Sequence, residues 1–183
     1  RADQSPVDLV RITATRETLT DVLRIVEALR DLGYQVSVNL MRASMLSDDD
    51  LGQAVSLASG NGLEFLYIAD SFGGLLPRDV ASKIRLMKAG FDGMVGFHPH
   101  DNLGMALANT IAAVDAGADI VDSSVLGMGR GAGNLRTEQL FLVTKDQAKD
   151  EDPLPLDTLF ELVTDEFATL QAEFGGGASL PYM

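Results

Sequence analysis

The chain has two histidines, and they stand two apart as His98-Pro99-His100. Side chains two apart on a strand point to one face, so both imidazoles enter one space if this segment ends a strand. Two neutral imidazoles converging there suit a divalent cation whose shell is completed by water or substrate. A hydrogen-bonded histidine pair with no metal also fits the spacing. With no cysteine in the chain, thiolate sites and disulfides are excluded, and any metal must sit on His, Asp, Glu or Asn.

Four further residues have chemistry-bearing types, two at the end of an apolar run and two in or just after a glycine-rich loop. Asp70 and Ser71 follow Phe65 to Ala69. Asp70 reads either as a catalytic carboxylate or as a turn acceptor for the amides of Phe72 to Gly74. Ser71 by itself reads as a loop-capping hydroxyl. Asn134 by itself reads as the N-cap of a helix entered at Leu135. Arg130 lies in the loop Gly127-Met128-Gly129-Arg130-Gly131-Ala132-Gly133, whose backbone amides and guanidinium can receive an anion. A purely structural glycine turn is the alternative. The same loop contains a permissive G-x-G-x-x-A, but no further strand completes a dinucleotide unit and no G-K-S/T follows. Thr13 and Asn39 are weaker candidates, supporting the site rather than touching a ligand.

These residues need elements to hold them. Apolar, β-branched runs recur evenly at Val7 to Ile12, Gln35 to Leu40, Phe65 to Ala69, Gly93 to Phe97 and Asp119 to Val121, each followed by a helical pattern. Leu19, Val22, Leu23, Val26 and Leu29 make one apolar stripe, with Asp21, Arg24 and Asp31 off it. Ser47 with Asp50 is a capping-box start, and Pro77 suits a first helical turn. Gly33, Gly60, Gly90 and Gly117 are expected to close helices in left-handed backbone. Helices between successive strands force parallel pairing.

Polar residues gather at the strand ends: Thr13, Asn39, Asp70 with Ser71, His98 with His100, and Asp122 with Ser123. That pattern favours a closed (β/α)8 TIM barrel over an open doubly wound sheet, because barrel sites are assembled from the ends of several strands. Five units are present where a barrel of about 250 residues has eight, so the chain is expected to hold the last five βα units. The expected division is 1–147 for those units and 148–183 for an acidic linker, a helix from Leu156 to Phe174, and a Gly-rich tail.

The formal charge of −13 argues against nucleic-acid and anionic membrane partners. No apolar run reaches the roughly 18 to 20 residues of a membrane-spanning helix, and the acidic start is no signal peptide. A cytoplasmic protein is expected.

The run GFHPHDNLGMALANTIAAVDAGADIVDSSVLGMGRGAGN, Gly96 to Asn134, resembles the signature of the DRE-TIM metallolyase superfamily (HMGL-like, or pyruvate carboxyltransferase domains). In that superfamily an H-x-H pair ends the seventh strand, and a D-x-S segment with a glycine-rich G-A-G-N loop follows the eighth. ADSFGGLLP, Ala69 to Pro77, resembles its sixth-strand motif. The likeness extends from about Val7 to Glu138, and the tail FGGGASLPYM is similar to the end of some members. Within the superfamily the pattern resembles 4-hydroxy-2-oxoacid aldolases, the 4-hydroxy-2-oxovalerate type among them. Isopropylmalate-synthase-type enzymes show H-x-H-N-D and G-E-R-A-G-N instead, and hydroxymethylglutaryl-CoA lyases carry a loop cysteine that this chain lacks.

The resemblance implies His98 and His100 as metal ligands, with manganese preferred and magnesium, zinc or cobalt as alternatives. It implies Ser71 at the substrate carboxylate and Asn134 near the metal, with Asp70 beside them as the catalytic candidate and Arg130 as a further substrate contact. The implied reaction is aldol cleavage or formation of a 4-hydroxy-2-oxo acid through pyruvate enolate. The family's first-strand Arg-Asp, which supplies a third ligand and an enolate-stabilising guanidinium, has no match here. An N-terminal barrel segment, in the same chain or a partner, is therefore expected to be needed for activity. Homo-oligomers and an aldehyde dehydrogenase partner occur among similar proteins. The rival readings are a Claisen-type acyl-CoA lyase or synthase, and a non-catalytic partial-barrel subunit.

Overall fold

Val36, Val38 and Leu40 alternate with Ser37 and Asn39, and the neighbouring runs share this register, so the backbone forms a sheet with one apolar and one polar face. The computed structural model describes residues 1–131, 133–144 and 156–176. Its strands are β1 (Leu9–Ala14), β2 (Gln35–Leu40), β3 (Phe65–Asp70), β4 (Met94–Pro99) and β5 (Ile120–Val121). They pair in sequence order, and every pairing is parallel. The helices α1 (Leu19–Asp31), α2 (Asp48–Gly60), α3 (Pro77–Gly90) and α4 (Ala106–Asp115) connect them, and α5 (Thr137–Thr144) follows β5.

The core lies between sheet and helices. Val38, Leu40, Leu66, Ile68, Val95 and Phe97 are fully buried there against Leu19, Val26, Leu51, Ile84 and Met87. The α1 stripe read from the sequence is this contact: Leu19, Val22, Leu23 and Val26 are buried, and Leu29 packs at the margin. The Ser47 hydroxyl accepts the Asp50 amide at 3.1 Å and donates to its carboxylate at 2.7 Å, which starts α2. Pro77 opens α3.

Several boundaries differ from expectation for local reasons. β1 begins two residues later than its apolar run, where its pairing with β2 starts at Leu9 opposite Gln35, and the Val7 amide before it donates to Ser5 Oγ at 3.1 Å. Gly33 and Gly117 take left-handed backbone, but Gly60 and Gly90 are the last helical residues of α2 and α3. Gly62 supplies the positive φ after α2, and Phe91 leaves α3 in extended backbone. The C-terminal helical run spans the expected Leu156 to Phe174: α6 (Leu156–Leu162), a π-helical turn (Val163–Phe167) and α7 (Ala168–Phe174). The proposed boundary at 147/148, the acidic linker and the tail beyond residue 176 lie outside the described residues. Among the described residues, no helix is long and apolar enough to cross a membrane.

Candidate functional site at the strand ends

Register decides which strand-end residues share a face. Ala69 pairs with His98 and Asp70 with Pro99, so Asp70 faces the helix layer while His98 and His100 face the other way. Asp70 is fully buried, and its two oxygens accept the amides of Gly74 at 3.1 Å and Leu75 at 3.0 Å. Burial pushes its carboxyl above the usual carboxylate range, against the pull of the Leu75, Gly74 and Gly73 amides. The structure thus gives Asp70 the turn-acceptor role and places its carboxylate away from the histidines.

The two imidazoles do come together, with ring centres 5.2 Å apart and planes at 77°. His98 Nδ1 lies 2.8 Å from Asp122 Oδ2. The same carboxylate oxygen is bound by the Arg11 guanidinium, which stacks 4.0 Å from the centre of the Tyr67 ring. Burial pushes the Asp122 carboxyl up, but the hydrogen bonds from His98 and Arg11 outweigh it and hold the group below its usual range. An Nδ1–H donated to Asp122 leaves His98 Nε2 with a lone pair for a cation, the arrangement by which carboxylates orient metal-binding imidazoles. Burial, together with the charges of His98 and Arg130, pushes His100 below the usual imidazole range, against the backbone of Gly133 and Arg130. The neutral form that binds cations is thereby favoured.

Arg11 and Tyr67 were not among the candidates. Their signal was present: a charged residue in the middle of an apolar run in a parallel sheet needs a partner. Gly96 makes the arrangement possible, because a β-carbon there would collide with the Tyr67 ring, its neighbour in register. Tyr67 is buried in that space.

The loop after β5 folds back beside His100. His100 and Asn134 form an isolated antiparallel bridge, and the Asp101 amide donates to Gly133 O at 2.9 Å. Asn134 is not the N-cap of a helix entered at Leu135, because α5 begins at Thr137. Its side-chain amide instead donates to Ser124 Oγ and Met128 O, both at 3.3 Å. Gly129 permits this, since a β-carbon there would stand 2.6 Å from Asn134 Nδ2. Asn134 Oδ1 is buried with no hydrogen-bond partner among the described residues.

A cavity of about 620 Å³ opens at these strand ends, with Met41, Arg42, Ser71, Phe72, His100 and Arg130 among its walls. Ser71 and Arg130, both singled out from sequence, therefore share a cavity with His100. The Ser71 hydroxyl accepts the Arg42 amide at 2.9 Å. Asn39 is buried on the polar sheet face with its Oδ1 unpartnered among the described residues, and Thr13, its neighbour in register, is exposed.

The donor set fits a divalent cation as far as this chain supplies it. Among the described residues no three His, Asp or Glu side chains gather to hold a metal. Asp122 is committed to His98 and Arg11, so the donors this chain offers are His98 Nε2, the His100 ring, which also meets the backbone of Gly133 and Arg130, and the Asn134 oxygen.

Comparison with known proteins places the chain in a family. A family model described as HMGL-like matches residues 10–163. The chain is 41% identical over 138 residues to 4-hydroxy-2-oxovalerate aldolase of Chloroflexus aurantiacus, covering 75% of this chain and 40% of the relative. It is 37% identical over 134 residues to oxaloacetate decarboxylase of Mycobacterium tuberculosis, covering 73% and 40%. Among solved structures, the N-terminal domain of a candidate aldolase from Bacteroides vulgatus superposes with a TM-score of 0.85 at 30% identity, covering 97% of this chain and 58% of that one. The chain spans about 40% of the length of the curated relatives it matches.

Proposed function

The chain belongs to the HMGL-like family, and from that premise we propose that its strand-end site holds a divalent cation and makes or breaks the C3–C4 bond of a 4-hydroxy-2-oxo acid. The observation that carries this reading is the His98 imidazole, fixed by Asp122 at 2.8 Å with Nε2 left open beside His100. His98 and His100 would hold the ion, manganese before magnesium, zinc or cobalt; Asn134, bridged through its backbone to His100, has a buried side-chain oxygen without a partner among the described residues. When bound, the ion would supply Lewis-acid stabilisation of the charge that develops on the keto oxygen of the 2-oxo acid.

The remaining work falls to the chain's own groups. Asp122 keeps the proton on His98 Nδ1, and Arg11 keeps Asp122 ionised and oriented. Ser71 and Arg130, on the wall that includes His100, receive the polar groups of the substrate. In the cleavage direction the proton of the 4-hydroxyl passes to a base, the C3–C4 bond breaks and its electron pair remains on C3. An aldehyde leaves pyruvate enolate, and the reverse is aldol addition. No carboxylate of this site is assigned as that base, because Asp70 is occupied by the turn amides. The relative of Chloroflexus aurantiacus, named for an aldolase, supports this assignment. Oxaloacetate decarboxylation is the second reading, favoured by the Mycobacterium tuberculosis relative. There the same bond position breaks, carbon dioxide leaves, and pyruvate enolate is again the product.

The test is elemental analysis of the intact gene product and of its His98→Ala and His100→Ala variants. Each substitution is expected to strip most of the bound metal. Unchanged stoichiometry in both would remove the site.

A further inference from the structure

We propose that the cavity beside His100 receives a second anionic group, a carboxylate or phosphate on the aldehyde half of the substrate, between Arg42 and Arg130. The inference rests on the aldolase reading above and names the substrate class it left open. Both arginines line the cavity of about 620 Å³, and they come from different loops. Arg42 follows β2, and Arg130 lies in the loop after β5. Both are exposed, and among the described residues neither forms an ion pair. Glu17 feels the charge of Arg42 but lies beyond ion-pair distance.

Two features set these arginines apart from ordinary surface charge. Arg42 has φ 61° and ψ 41°, left-handed backbone that glycine adopts freely and a side-chain-bearing residue adopts at a cost. An arginine in such a place at a cavity wall points to a use for its side chain. Its amide is also tied to Ser71 Oγ, so the strained turn is coupled to a substrate-contact candidate. Arg130, in turn, is the one charged residue of a glycine-rich loop.

Charge then selects the ligand. With a formal net charge of −13, the molecule repels a substrate bearing two or more negative charges unless local cations meet it. The 2-oxo acid's own carboxylate and keto oxygens belong with the histidines and Ser71. The two guanidiniums are left for an anion carried by the other half of the substrate, which they can bind by paired, charge-assisted hydrogen bonds.

The experiment measures aldol addition of pyruvate by the intact, manganese-loaded gene product to three acceptors: glyoxylate (carboxylate), glyceraldehyde 3-phosphate (phosphate) and propanal (neutral). One anionic acceptor should exceed propanal in kcat/KM by about tenfold or more, and the better of the two identifies the anion. Arg42→Gln should lower that ratio by about tenfold, and Arg42→Lys should restore part of it. Loss of a contact to pyruvate's own carboxylate would lower all three rates together and leave the ratio unchanged. An unchanged ratio in Arg42→Gln, or a parent protein that favours propanal, overturns the proposal. Failure of pyruvate to exchange its C3 protons would sink the aldolase reading instead. In that case calorimetric titration with inorganic phosphate and with malonate decides. Binding that weakens about tenfold in Arg42→Gln supports the anion site, and equal binding, or none, overturns it.

Discussion

Asp122 and Asp70 are both aspartates at strand ends, yet the structure gives them opposite employment. Asp122 touches His98 and Arg11, so Asp122→Asn should weaken metal binding by about 10- to 100-fold, read by competition with a chromogenic chelator. An affinity equal to the parent would show that His98 needs no such support. Asp70 satisfies two amides in the turn before α3. Asp70→Ala should cost about 1–3 kcal/mol of stability by denaturant unfolding, because buried donors lose their acceptor. Were Asp70 the base that takes the 4-hydroxyl proton, Asp70→Asn would instead abolish aldol cleavage with stability intact. The histidine pair was legible in the sequence because two residues of separation on a strand fix a common face. Arg11 was not, since its partner Asp122 stands 111 positions away and only the folded sheet brings them together.

The elements were legible wherever local periodicity and terminating residues agreed. β2 and the run from Leu156 to Phe174 fall where the pattern put them, but β1 begins two residues late because its start is set by where β2 pairs with it, at Leu9 opposite Gln35. Tertiary contact, invisible to periodicity, also sets the floor of the site. Gly96→Ala should push against the Tyr67 ring and destabilise by about 1–3 kcal/mol, measured by thermal or urea unfolding. At the β4–β5 junction the Asp119 carboxylate accepts Val95 N at 2.7 Å and Lys88 Nζ at 2.8 Å. Burial pushes this carboxyl up, but those two contacts together hold it below the usual range. A carboxyl depressed by folding adds stability at neutral pH that is lost as pH falls from about 4 through its lower folded value. The urea midpoint of Asp119→Asn should therefore fall less between pH 7 and pH 3 than that of the parent. An equal fall would contradict the role given to this ion pair.

At the scale of the whole molecule, the five parallel strands form an arc of the family's barrel, and β1 and β5 are its two edges. Open edges present unpaired backbone groups. A polypeptide limited to residues 1–183 should self-associate with rising concentration in sedimentation velocity, and a stable monomer would contradict that expectation. The central proposal concerns chemistry: His98 and His100 would hold a cation that would make pyruvate acidic at C3. Proton NMR of pyruvate in deuterium oxide, with the intact manganese-loaded gene product, tests it most directly, since enolate formation needs no aldehyde. The account predicts that the methyl signal decays, that a chelator stops the decay, and that His100→Ala abolishes it. A metal-loaded protein that leaves the methyl signal intact, or exchange that persists after chelation and in both histidine variants, would contradict it.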